Sequence, residues 1–118
     1  MDKAEYQSRL EELNSLVKKE DYEGALAVVE AVDWQRVKSL RTLGMVADVY
    51  EANKRYPEAK KILLMAYDRS SIGKGILYRL VEVSVKMKDF DEAIDFYNEF
   101  EAVARHDNSR YLLKYKIL

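Results

Sequence analysis

The sequence contains no cysteine, which removes disulfides and thiolate chemistry and agrees with a reducing compartment. Histidine occurs once, at His106, and no second histidine or cysteine exists to complete a metal site with it. Beside Asp107 it is expected to be an exposed turn residue. Glycine occurs only at Gly24, Gly44, Gly73 and Gly75. The run Gly73-Lys74-Gly75 is not a phosphate-binding loop, because no strand precedes it and the spacing fails. No apolar stretch approaches the roughly 20 residues of a membrane span. The opening Met1-Asp2-Lys3-Ala4-Glu5 is charged and has no apolar signal region, so a cytoplasmic protein, or a piece of one, is expected. Neither sign of charge dominates: 20 Lys and Arg face 21 Asp and Glu, for a formal charge of −1. Binding to nucleic acid or to acidic membranes needs a basic excess that displaces counterions, so neither is expected.

What is present points to a folded, helical chain. Hydrophobic residues make up 48% and charged residues 35% of 118 residues, enough for one domain with a single core. Apolar residues recur at three- and four-residue intervals nearly throughout, and strand patterns are missing. Leu10, Leu13, Leu16 and Val17 mark one face of a first helix, which Asp2 can cap with Glu5 in the capping-box position. Asp21 and Asp89 are expected to cap two further helices. The last of these carries Ala93, Ile94, Tyr97 and Phe100 on its apolar face. The only proline, Pro57, falls in the first turn of another helix, where no backbone hydrogen bond is lost. Short loops predict antiparallel helical hairpins. Trp34, just after the second helix, is expected to wedge between hairpins.

One pattern occurs three times in strict register. Tyr22-Glu23-Gly24-Ala25, Tyr56-Pro57-Glu58-Ala59 and Phe90-Asp91-Glu92-Ala93 all read aromatic-x-x-Ala, with a period of 34 residues. Such a period marks an array in which each unit buries its core against its neighbours. On these residues the chain resembles the tetratricopeptide repeat, a 34-residue helix–turn–helix unit. The resemblance implies an all-α, right-handed superhelical solenoid of about three hairpins plus a terminal helix. The repeats would span 6–39, 40–73 and 74–107, with 108–118 opening a fourth, all within one domain covering 1–118. Arg9 and Glu12 stand where the family is apolar, as befits an N-terminal unit with no earlier neighbour. Tyr22, Tyr50, Tyr56, Phe90, Tyr97 and Phe100 occupy core positions of the pattern.

In this family the first helix of each unit lines a concave groove. Carried over, the groove residues are Asn14, Arg41, Met45, Asp48, Tyr78, Arg79 and Glu82, a mixed surface with an apolar centre. It suits an extended peptide or a partner helix held by an apolar anchor and flanking charges. Family members that clamp a chain-terminal carboxylate carry Lys, Asn, Asn, Lys and Arg at positions occupied here by Leu10, Asn14, Met45, Gly75 and Arg79. Both lysines are missing, so that clamp is not expected. No step calls for catalysis or a cofactor, because the carboxylate pairs have the spacings of caps and solvated faces. The implied function is non-enzymatic binding of a partner protein. The alternatives are an assembly module or a peptide-sensing regulatory domain of a larger bacterial protein. The segment 108–118 is dense in apolar residues, and Tyr111, Leu112, Tyr115 and Leu118 are expected to mediate self-association, for instance as a homodimer.

Overall fold

The computed structural model describes residues 2–70 and 73–104, and every regular element among them is helical. Helix α1 spans Lys3–Lys18, α2 Tyr22–Glu30, α3 Leu40–Ala52, α4 Tyr56–Arg69, α5 Lys74–Lys86 and α6 Phe90–Val103. A short 3₁₀ turn, Trp34–Arg36, separates α2 from α3. Local chemistry sets the starts. Asp2 Oδ1 accepts from Glu5 N–H at 2.8 Å, and Asp21 Oδ1 accepts from Gly24 N–H at 3.0 Å. Asp89 Oδ1 accepts from Glu92 N–H at 3.3 Å. Each side chain thus satisfies an amide that has no intrahelical partner. Ser39 does the same for α3 through Thr42 N–H at 3.2 Å, a cap the hydrophobic pattern did not reveal. Pro57 lies in the first turn of α4, which has no side-chain cap.

The turns inside the hairpins are one structure used three times. Glu20, Lys54 and Lys88 take the left-handed conformation, with φ of 60°, 59° and 60°. The next amide then reaches back to a carbonyl five residues earlier. These bonds are Asp21 N–H to Leu16 O at 2.9 Å, Arg55 N–H to Tyr50 O at 2.8 Å and Asp89 N–H to Ser84 O at 2.9 Å. This satisfies carbonyls at the end of the first helix and sends the chain back along it. The hairpins α1/α2, α3/α4 and α5/α6 follow, and α2 packs on α3 and α4 on α5. Ala25, Ala59 and Ala93 are completely buried where the paired helices meet. Around them lie Leu13, Leu43, Val46, Leu63, Leu77, Leu80 and Val81, each 0–1% exposed, in a core running the length of the stack.

Trp34 fills the space beside the first hairpin. It is buried, its Nε1–H donates to Val29 O at 2.8 Å, and Tyr6 meets its ring edge-on at 6.3 Å. Arg9 and Glu12 form an exposed 3.6 Å ion pair on a face of α1 that no described helix covers. Two expectations for α6 fail. Phe90 and Ile94, read as core residues, are 46% and 45% exposed, and Val103 is 44% exposed. The matching faces of α2 and α4 are covered by the following hairpin. Asn53 Nδ2 bonds Tyr22 O at 2.9 Å, and Lys86 Nζ sits 5.5 Å above the Tyr56 ring. No such neighbour lies beyond α6 among the described residues, which exclude 105–118.

Candidate functional site

The stack has two layers, with α1, α3 and α5 on one flank and α2, α4 and α6 on the other, each tied by its own polar contacts. In the second layer Lys60 on α4 pairs with Glu92 on α6. Burial, followed by the nearby Glu99 carboxylate, pushes the Tyr67 phenol above its usual range. Between the first two hairpins, Arg55 bridges Glu30 at 3.2 Å and Glu58 at 3.3 Å. Tyr50 lies beside this group, and its phenol is raised by burial first and then by Glu30 and Glu58. These contacts join consecutive hairpins along this flank, over the continuous apolar core.

The opposite flank is the candidate groove. Met45 and Tyr78 form its apolar centre, and both are half-buried against the core. The Tyr78 ring is held edge-on by Phe100 at 5.7 Å, a favourable aromatic geometry. Arg79 crosses from α5 to α3. Its Nη2 donates to Asp48 Oδ1 and to Glu51 Oε2, each at 2.6 Å, and its Nη1 donates to the Gly44 carbonyl at 3.2 Å. A methyl group at Gly44 would lie 3.5 Å from Nη1, an ordinary van der Waals contact, so the Arg79 position does not depend on a glycine there. Charge-assisted bonds of this kind are shorter and stronger than neutral ones.

The structure therefore sorts the candidate residues. Asp48 and Arg79, read from the sequence as separate groove charges, are brought together with Glu51 in one cluster that keeps a single net negative charge. Glu82 is half-buried on α5, one turn beyond Arg79, and Asn14 and Arg41 are exposed on α1 and α3. Neither Asn14 nor Arg41 makes a side-chain hydrogen bond or ion pair among the described residues. Tyr111, Leu112, Tyr115 and Leu118, expected to self-associate, lie outside the described residues, as does His106. The Gly44 carbonyl was missed as an acceptor for Arg79, and no residue type could have signalled it, because any residue at this place offers the same backbone oxygen. Among the described residues no group of His, Cys, Asp and Glu is arranged to hold a metal, and no helix is long and apolar enough to cross a membrane.

No protein-family model matches the sequence, and no curated protein matches it as a relative. Solved structures do match in shape. The TPR2B domain of yeast Sti1, in a pHsp70 complex, superposes with a TM-score of 0.72 at 15% identity, covering 93% of this chain and 96% of that one. The fold is a tetratricopeptide-like helical repeat. The tetratricopeptide-like arrangement recurs in the Yersinia enterocolitica type III secretion chaperone SycD, solved with a peptide of the translocator YopD. That match has a TM-score of 0.71 at 11% identity, covering 98% of this chain and 88% of that one. PcrH in complex with the chaperone-binding region of PopD gives a TM-score of 0.68 at 10% identity, covering 99% and 88%. At such identities the likeness concerns backbone shape, and the charges of the tetratricopeptide-like groove belong to this chain's own side chains.

Proposed function

We propose that the protein is a non-enzymatic interaction scaffold that holds an extended peptide or a helix of a partner protein along α1, α3 and α5. One observation carries the proposal. Arg79 ties both Asp48 and Glu51 to the groove wall and leaves one net negative charge there, beside the half-buried apolar side chains of Met45 and Tyr78 that are offered to a partner. Arg41 supplies an unpaired cation at the near end. Buried aromatic and methionine anchors with a polar rim are the usual source of affinity at such surfaces. SycD and PcrH are solved with a peptide or region of a partner protein and the Sti1 domain in a pHsp70 complex, and this supports the same mode here. A cytoplasmic setting goes with this function.

The test uses peptides selected by display against the immobilised protein. Met45→Glu places a charge in the apolar centre, and the selected peptides should bind at least about tenfold more weakly, a loss of roughly 1.4 kcal/mol. Unchanged affinity in a variant with an unchanged melting curve would contradict the proposal.

The exposed Phe90, Ile94 and Val103 favour a second role, assembly through this apolar face of α6. Sedimentation at micromolar concentration should then reveal self-association that Ile94→Glu abolishes. A wild-type monomer would end this second proposal.

A further inference from the structure

An open cleft of about 770 Å³ lies at the edge of the first hairpin, apart from the groove, where the first turn of α1 faces the segment leading into α3. Its floor is apolar and comes from Tyr6, Val32 and Val37, and Tyr6 is backed by the buried Trp34 ring. Its rim carries Lys3, Arg36 and Lys38.

The rim's donors and acceptors are not in the same state. One oxygen of each acidic side chain and the Ser39 hydroxyl accept local capping bonds: Asp2 Oδ1 from Glu5 N–H, Asp33 Oδ1 from Gln35 N–H and Ser39 Oγ from Thr42 N–H. The rim sets three cations against two carboxylates, a net positive charge. The three cations have no side-chain hydrogen bond or ion pair among the described residues. The cleft thus offers free donors around an apolar floor. A bare anion would leave that floor unused, and an apolar ligand without charge would leave the donors unmatched.

We propose that this cleft binds a short peptide segment that combines acidic side chains with apolar ones. Charge complementarity selects the acidic flanks, and Tyr6, Val32 and Val37 receive the apolar side chains. None of the groove residues Asn14, Met45 or Tyr78 lines the cleft, so this site and the groove can be occupied and disabled separately.

The experiment is amide NMR on the full chain with two capped tetrapeptides, Glu-Leu-Phe-Glu and Lys-Leu-Phe-Lys, and with inorganic phosphate as a third probe. The acidic peptide should give saturable shifts at Tyr6, Val32 and Val37. Those shifts should survive Met45→Glu and weaken roughly tenfold in the double variant Arg36→Glu/Lys38→Glu. Both changed side chains are exposed, so the variant's amide spectrum should otherwise stay that of the folded protein. Equal binding of the two peptides would overturn the proposal, as would equivalent shifts from phosphate alone or no saturable shift at all. Shifts centred on Met45 and Tyr78 would also overturn it, while leaving the groove function intact.

Discussion

Glu20, Lys54 and Lys88 hold a conformation that glycine adopts at no steric cost and other residues adopt at about 1–2 kcal/mol each. The chain tolerates this three times because each left-handed residue closes the same helix-ending turn. Their side chains are exposed and do not contribute to the core. Replacing Lys54 by Gly should therefore stabilise the protein by about 0.5–1 kcal/mol, the relief of strain exceeding the entropy that glycine adds to the unfolded chain. Chemical denaturation checks this, and Lys88→Gly should behave alike; destabilisation by both would mean that the side chains matter to the turn. These turns were not legible in the sequence. A helix end is sought through glycine or asparagine, and here glutamate or lysine takes the left-handed place. Ser84 is a second departure at this scale. It is completely buried, its hydroxyl has no partner, and it stands 34 residues after the half-buried Tyr50.

At the scale of elements, the contacts that matter connect one hairpin to the next. Arg79 lies 31 residues after Asp48 and 28 after Glu51, a separation that depends on how far each hairpin is offset from its neighbour. Helix starts were legible because their signals are local: Asp2, Asp21 and Asp89 lie beside the amides they cap. The pairing across hairpins was not, since a 34-residue register aligns equivalent positions and says nothing of the offset between them. For the same reason Phe90 and Ile94 were taken as core residues. The register gave them the same places as Tyr22 and Leu26, but covering those places requires a following helix. Arg79 is 27% exposed and Glu51 19%, between the surface and buried limits for ion pairs. Arg79→Ala should cost about 1–2 kcal/mol, partly by leaving Glu51 half-buried without a partner. In that background Glu51→Gln should cost less than it does alone. A double-mutant cycle should give a coupling above about 0.5 kcal/mol; additive effects would show that the two groups stabilise independently.

The whole molecule is longer than a compact chain of its size. Its radius of gyration is 15.0 Å and its longest extent 43 Å, whereas a globule of equal length would have a radius of about 13.5 Å. Elongation follows from stacking, because among the described residues each hairpin leans only on its neighbours. It also creates the proposed binding surface, since a row of helices presents a continuous flank that a bundle around a common axis would bury. The stack was the most legible feature of the sequence, being written three times as aromatic-x-x-Ala. The partner's chemistry was the least legible, because it depends on which groove charges survive mutual neutralisation. Amide NMR of the labelled protein with a display-selected peptide tests the central claim most directly. Shifts running along α1, α3 and α5, with Met45 and Tyr78 among the largest, are the predicted result; shifts confined to α2, α4 and α6 would contradict it.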